Sequence, residues 1–140
     1  VTGSHGIEIK ADVFFEDVDY STVDLLVLPG GMPGTVHLGE HQGLAELLQS
    51  FAASDRKVAA ICAAPSVLGG LGILKNKKAA CYPGFEEKLE GAQVFTDPVV
   101  KDGNITTSRG VGTAISFALE LISQLEGEVK ARQIKKSIVS

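Results

Sequence analysis

Cys62 is the residue whose setting best suits chemistry. It directly follows the short aliphatic run Lys57–Ile61 and is directly followed by Ala63-Ala64-Pro65. This order predicts a strand, a sharp turn at the cysteine and then a helix, with small neighbours that make the turn possible. The N–H groups at the start of that helix favour a thiolate. We therefore predict that Cys62 is a nucleophile, and the alternative is a small buried cysteine.

Two other predicted strands end in residues that suit a site. The run 24–29 leads into Gly30-Gly31, and the run 105–107 leads into Ser108-Arg109-Gly110. Because the carboxyl ends of parallel strands open onto one crevice, these ends are expected to meet Cys62. The N–H groups of Gly31 and Ala63 would then form an oxyanion hole, and Gly30 would bind the substrate or an anion. Arg109, with Ser108, would bind a carboxylate or phosphate, or hold a turn or a subunit contact.

The remaining candidates are weaker. The histidines His5, His37 and His41 lie far from Cys62 in the sequence and are predicted to be surface or capping residues. Cys81 falls inside a short predicted strand and is interpreted as a small apolar filler. Two cysteines without a CxxC spacing indicate neither a metal cluster nor a disulfide framework. No Gly-rich nucleotide fingerprint follows the first strand, so no metal and no cofactor is predicted.

The composition indicates the kind of domain that positions these residues. The chain has 140 residues, of which 44% are apolar and 21% charged, as expected of one soluble domain. The net charge of −4 disfavours a nucleic-acid binder, and no apolar run approaches the roughly 18 residues of a membrane span. We therefore expect a cytoplasmic, reduced protein that binds neither nucleic acid nor membrane.

The order of the predicted elements indicates an α/β fold. Short aliphatic runs and amphipathic segments alternate, which predicts a parallel sheet with helices on both faces. Strands are predicted at 24–29, 57–61 and 79–82, with a hairpin of 94–100 and 105–107 around Asp102-Gly103. Helices are predicted at 41–53, 63–71, 85–90, 113–126 and 128–136.

Three details of this prediction concern burial. One or two edge strands are predicted within residues 7–18. The unbroken aliphatic run 24–29 is typical of a strand buried on both faces. The helix 113–126 is predicted to end at Gly127 and to bury one stripe, which consists of Ile115, Ala118, Leu119, Ile122 and Leu125.

Four segments resemble the ThiJ/PfpI family. They are Leu28-Pro29-Gly30-Gly31, Ala59-Ala60-Ile61-Cys62-Ala63-Ala64-Pro65, Tyr82-Pro83-Gly84-Phe85-Glu86 and Thr107-Ser108-Arg109-Gly110-Val111-Gly112-Thr113. The resemblance runs through essentially the whole chain and is closest to the branch of the parkinsonism-associated deglycase and its bacterial relatives. It implies that residues 1–140 form a single domain with a flavodoxin-like fold of the class I glutamine amidotransferase type. It also implies a cytosolic homodimer.

The resemblance also implies a function. In this branch the cysteine at the turn between strand and helix is a redox-sensitive nucleophile. Cys62 is therefore expected to serve glyoxalase or deglycase chemistry on 2-oxoaldehydes or their adducts. Protection against oxidative stress is expected as well. One alternative is a redox sensor or chaperone in which Cys62 oxidises to the sulfinic acid. Another is a role in thiazole monophosphate biosynthesis, which rests on family names alone. A methylglyoxal turnover assay separates the enzyme from the sensor.

Three departures from the family pattern carry expectations. The opening strand, helix and return strand of the family have no counterpart here, and that helix carries the glutamate that hydrogen-bonds the cysteine. We therefore expect this chain to be the C-terminal major part of a longer protein, with the missing unit supplied by a separate polypeptide or by residues before Val1. Ala63 stands where the protease-like branch has histidine, which argues against a cysteine–histidine protease. Tyr82 replaces a histidine of some relatives and is expected to donate a hydrogen bond to the substrate rather than act as a base.

Overall fold

A four-stranded sheet forms the centre of the computed structural model, which describes all residues from 1 to 140. Numbered along the chain, its strands lie in the order β1 (Leu25–Leu28), β2 (Lys57–Ile61), β6 (Ile105–Ser108) and β5 (Val99–Asp102). The first three are parallel, and β5 pairs antiparallel with β6. The predicted parallel sheet and the hairpin that closes it are therefore confirmed.

A second, two-stranded sheet differs from the prediction. The strand predicted at 79–82 is limited to β3 (Lys78–Ala79), which pairs with β4 (Gln93–Val94) rather than with the main sheet. The first hairpin strand, predicted to begin at residue 94, begins only at Val99. Both predictions of extent were wrong because short apolar runs do not indicate which neighbour they pair with.

Five α-helices accompany the sheets. They are α1 (Gly34–Glu40), α2 (Gln42–Ala53), α3 (Pro65–Gly70), α4 (Ala114–Glu126) and α5 (Glu128–Ser137). The segment predicted as a helix at 85–90 is a 3-10 turn, Glu86–Lys88, and α1 was not predicted. None of the five combines the length and the apolar character needed to cross a lipid bilayer.

The two faces of β2 are buried by different helices. Val58 and Ala60 belong to the main core, together with apolar side chains of α2 and α3. Ala59, which points to the opposite face, packs with Phe117 and Leu121 of α4. Successive residues of a strand point to opposite faces, so a strand without polar residues can bury both. Helices on both faces of the sheet are thus confirmed.

The free edge of β1 corrects the expectation that this strand is buried on both faces. β1 pairs only with β2, and Val27 is 46% exposed. An apolar groove of about 390 Å3 runs beside this edge; among the residues that line it are Leu26, Leu44 and Leu47. The aliphatic run correctly predicts a strand. Burial of both faces of β1 would need a further element packed beside its free edge, and β1 pairs only with β2.

The buried face of α4 was also predicted incorrectly. Ile115 and Leu125 are 54% and 45% exposed, whereas Phe117 and Leu121 are buried against the sheet. The helix is apolar around much of its circumference, and one sheet face covers only part of it. Its range was nearly correct, and it ends at Gly127 as predicted.

The first twenty residues contain no strand of either sheet, which contradicts the edge strands predicted within residues 7–18. Only an isolated bridge between Thr2 and Glu8 is formed, and Ile7 and Ile9 are each 68% exposed. The segment joins the body of the domain at Tyr20, whose carbonyl accepts a 2.9 Å hydrogen bond from Arg56 Nη1. The Arg56 guanidinium also lies 3.7 Å from the centre of the Phe51 ring.

Candidate functional site

Cys62 lies at the turn between β2 and α3, where it adopts a left-handed backbone conformation with a φ of 66°. Such a conformation is costly for a residue that carries a Cβ. Hydrogen bonds hold it on both sides: Cys62 N–H donates to Ser108 O at 3.1 Å, and Cys62 O accepts from Tyr82 N–H at 2.8 Å. The predicted turn is therefore present, and strain held in place by neighbours is typical of a functional position.

The loop that follows β1 touches Cys62 directly. A Cβ atom added to Gly30 would lie 2.5 Å from Cys62 Cβ, 2.7 Å from Ile61 O and 3.2 Å from Cys62 Sγ. No side chain fits in this space, so glycine is required for the close approach of the two strand ends. The structure thus brings Gly30 and Cys62 together, as the convergence of parallel strand ends predicted.

Two backbone donors beside the cysteine have no partner within the chain. Neither Gly31 N–H nor Ala63 N–H makes a hydrogen bond to another residue. The Gly31 carbonyl accepts two hydrogen bonds from Thr35, from its backbone N–H and its hydroxyl, each at 2.9 Å, which fixes this peptide. Free, fixed N–H groups beside a nucleophile can hold a developing oxyanion. That role remains a prediction for both residues.

Ser108 is the last residue of β6, and Arg109 follows it at the same edge of the sheet. Ser108 is fully buried, and its hydroxyl donates to Pro98 O at 2.6 Å. Its side chain is thus engaged inside the protein, and its predicted anion contact stays a prediction. The Arg109 guanidinium forms no hydrogen bond or ion pair; the one ion pair of the structure joins Arg132 and Glu128. Arg109 is therefore available to a ligand.

Tyr82 closes a third side of the site. Its side chain is half-exposed, and its ring lies against Gly110, where an added Cβ would come within 3.3 Å of the ring.

Sequence reasoning missed Glu86, whose carboxylate accepts the Gly84 N–H at 2.7 Å. The signal for it was present in the order of residues, since an acid two positions after a turn glycine can accept that N–H.

Cys81 is a buried member of the main core, which confirms its interpretation as an apolar filler. Burial raises the pKa of its thiol to about 11, and the negative charge of Glu86 adds to this effect. The Arg109 guanidinium opposes the rise, while Cys62 contributes a small further increase in the pKa. Arg109, Glu86 and Cys62 therefore all lie close enough to Cys81 to act on its charge.

None of the three histidines forms a hydrogen bond with Cys62. His41 caps α2, because its Nδ1 accepts the Leu44 N–H at 3.0 Å, which confirms a capping role. His5 and His37 line a groove of about 680 Å3 that also reaches Gly30 and Gly31. No three His, Cys, Asp or Glu side chains come together in a way that would hold a metal ion.

Comparison with known proteins places this arrangement in a family. The DJ-1/PfpI family matches residues 1–124. "Protein DJ-1 homolog B" of Arabidopsis thaliana is 40% identical over 99% of this chain, which spans only 32% of that relative's length. The "Glutathione-independent glyoxalase DJR-1.2" of Caenorhabditis elegans is 36% identical over 95% of this chain and 72% of its own.

A solved structure supports the same assignment. The crystal structure of DJ-1beta from Drosophila melanogaster superposes with a TM-score of 0.90 and 36% sequence identity, over 97% of this chain and 74% of that one. This flavodoxin-like α/β chain therefore belongs to the DJ-1/PfpI family.

Proposed function

We propose that this chain carries the nucleophile of a cysteine-dependent enzyme of the glyoxalase and deglycase type, which acts on 2-oxoaldehydes or their adducts. The single observation that carries the proposal is the strained backbone of Cys62, which is held between Ser108 O and Tyr82 N–H. A cysteine whose only role was to fill space would not need this conformation. The glyoxalase name of the Caenorhabditis elegans relative adds support.

The first chemical step uses groups that lie at the turn. The Cys62 thiolate attacks the aldehyde carbon, a bond forms between sulfur and carbon, and the carbonyl electron pair moves onto oxygen. The N–H groups of Gly31 and Ala63 hold this oxyanion until it takes a proton from water, which gives a hemithioacetal. Conversion of a 2-oxoaldehyde to a 2-hydroxy acid adds one water molecule and needs no external oxidant.

Two side chains close to the turn are suited to bind the substrate. Tyr82 presents a half-exposed ring and hydroxyl, and Arg109 presents a cation without a partner in the chain. A hydroxyl donor and a guanidinium are suited to a carbonyl oxygen and a carboxylate respectively. These two residues are proposed to bind the substrate, and Cys62 to react with it.

Methylglyoxal turnover by the complete protein tests this proposal. Cys62→Ser is expected to reduce the rate to that of buffer, since a hydroxyl at this position is a far weaker nucleophile than a thiolate. Cys81→Ser is the matched control and is expected to keep most of the activity, because Cys81 is buried in the core. Disappearance of methylglyoxal and formation of the hydroxy acid are both measured. Equal turnover by wild type and Cys62→Ser would refute the proposal, as would a wild type without activity.

We further propose that a strand-helix-strand segment of the same protein covers the free edge of β1. Two apolar features lie there, the exposed Val27 and the groove beside β1. The exposed Ile115 and Leu125 on α4 add uncovered apolar surface to the chain. An uncovered apolar strand edge favours pairing with another strand. The same assembly is proposed to form a symmetric homodimer.

Native mass spectrometry of the purified protein tests this assembly. We expect the 14.7 kDa chain to appear with additional polypeptide of roughly 30 residues or more, the size of a strand-helix-strand unit. Two copies of that complex are expected in one particle, and light scattering at micromolar concentration checks the dimer. A folded, homogeneous monomer of the chain alone would contradict both parts.

A further inference from the structure

Thr113, which directly precedes α4, forms hydrogen bonds with the three residues at the end of β6, Ser108, Arg109 and Gly110. Its Oγ1 lies 2.7 Å from Ser108 Oγ, 3.2 Å from Arg109 N, and 3.1 Å and 3.0 Å from Gly110 N and O. Its own N–H donates to Gly110 O at 2.9 Å. One short side chain thus holds the turn of residues 108–110.

The directions of these hydrogen bonds can be worked out from the number of protons. A hydroxyl has one proton and two acceptor lone pairs. The Ser108 hydroxyl donates its proton to Pro98 O at 2.6 Å, so its oxygen is an acceptor across the 2.7 Å contact with Thr113. The single proton of the Thr113 hydroxyl therefore has two acceptors, Ser108 Oγ and, at 3.0 Å, Gly110 O. Both lone pairs of Thr113 Oγ1 are then free to accept the N–H groups of Arg109 and Gly110. Rotation of the Arg109 backbone would break this chain of hydrogen bonds.

This turn also determines where Arg109 lies relative to Cys62. Ile61 and Ser108 are paired in the sheet, and Cys62 N–H donates to Ser108 O, so Cys62 and Arg109 leave the sheet side by side. On its other flank the turn lies against the Tyr82 ring. The backbone of Arg109 therefore lies next to that of the nucleophile and is held by Thr113, and the Arg109 guanidinium has no ion-pair partner.

We propose that Thr113 is a positioning residue, whose hydroxyl holds Arg109 beside Cys62 so that the site prefers reactants that carry a negative charge. This inference rests on the proposed function where it concerns catalysis. In that case the preferred substrate is an aldehyde, or an adduct, that carries a carboxylate. The preference of the Cys62 site for negatively charged reactants does not depend on whether the protein turns over a substrate. It is the charge of Arg109, rather than its bulk, that produces the preference.

Two alkylating reagents of nearly equal size, one charged and one neutral, test the proposal. Iodoacetate is an anion and iodoacetamide is neutral, and in both cases the Cys62 sulfur displaces iodide. The rate of each at Cys62 is measured on the complete protein from the tryptic peptide 58–75, which is separate from the peptide that contains Cys81. The ratio of the two rates reports the charge near the sulfur, whereas a general loss of reactivity changes both rates alike.

Three variants, with a fourth held in reserve, give the decisive comparison. Arg109→Gln is expected to lower the iodoacetate to iodoacetamide ratio by about threefold to fivefold, the effect of one partly exposed charge. Thr113→Val, which removes the hydroxyl at constant size, is expected to lower the ratio equally, and Thr113→Ser is expected to keep it. If thermal melting shows that Thr113→Val does not fold, Thr113→Ala replaces it with the same expectation.

Each other result overturns the proposal. A wild-type ratio in folded Thr113→Val or Thr113→Ala would show that the hydroxyl does not position Arg109. A reduced ratio in Thr113→Ser would show that the effect does not depend on the hydroxyl. An unchanged ratio in Arg109→Gln would remove the anion preference. A wild type that fails to turn over methylglyoxal but shows the expected ratios would refute the proposed function and leave this inference intact.

Discussion

Dilute peroxide at pH 7 is expected to oxidise Cys62 and to leave Cys81 reduced. A thiol with a pKa of about 11, as burial gives Cys81, is ionised in about one molecule in ten thousand at this pH. Only the thiolate reacts, and Cys81 is also closed off from solvent. Cys62 is partly exposed at a turn beside free N–H groups. Peroxide should convert it first to the sulfenic and then to the sulfinic acid.

Peptide mass mapping measures this selectivity, because trypsin places the two cysteines in the separate peptides 58–75 and 79–88. The preference of peroxide for Cys62 over Cys81 should decrease as the pH rises toward about 11. The thiolate fraction of Cys81 increases about tenfold for each pH unit over this range. Unfolded protein is the control, and in it both cysteines should oxidise at similar rates. Equal oxidation in the folded protein, or oxidation of Cys81 first, would overturn the assignment of Cys62 as the reactive thiol.

Gly30→Ala is expected to disrupt the site more than any other single methyl group added near it. The new Cβ would lie 2.5 Å from Cys62 Cβ and 2.7 Å from Ile61 O, and both contacts involve atoms that cannot swing away. The loop after β1 and the turn at Cys62 must separate, which costs about 1–3 kcal/mol of folding free energy. Chemical denaturation measures the loss of stability, and iodoacetamide labelling of peptide 58–75 measures the altered reactivity of Cys62.

Gly34→Ala is the matched control, four residues further along the chain. Its added Cβ meets no atom within 4 Å, and Gly34 is the first residue of α1. Alanine is tolerated better than glycine in a helix, so stability should be unchanged or slightly increased. A Gly30→Ala protein with the stability and Cys62 reactivity of Gly34→Ala would show that the two strand ends are not in contact in solution.

The sequence was most informative where a feature depends on residues close together in the chain. The strand Lys57–Ile61, its abrupt end at Cys62 and the hairpin at Asp102-Gly103 were all predictable from local patterns. A buried strand needs only an unbroken apolar run, and a sharp turn needs only small neighbours. The meeting of Gly30 with Cys62 was also predictable, because parallel strand ends share one edge.

Other features depend on neighbours that no local pattern specifies. Periodicity places α4 correctly, but only the packed sheet determines that Phe117 rather than Ile115 is buried. The exposed face of Val27 depends in the same way on what lies beside β1. Thr113 was missed because a threonine before a helix is an ordinary capping residue, and its position in the sequence does not show that its hydroxyl bonds back to residues 108–110.

The backbone contacts around Cys62 have a consequence for the folding of this protein. They join residue 62 to residues 30, 82 and 108, which are distant along the chain, and residues 30, 62 and 108 lie at the ends of three parallel strands. Non-local contacts of this kind form slowly, because the entropy of closing long loops is lost before any contact compensates for it. The hairpin of β5 and β6 and the neighbouring helices α4 and α5 are local by comparison. We therefore expect the left-handed turn at Cys62 to be among the last features to form during folding, so that the chemistry of the cysteine belongs to the fully folded chain.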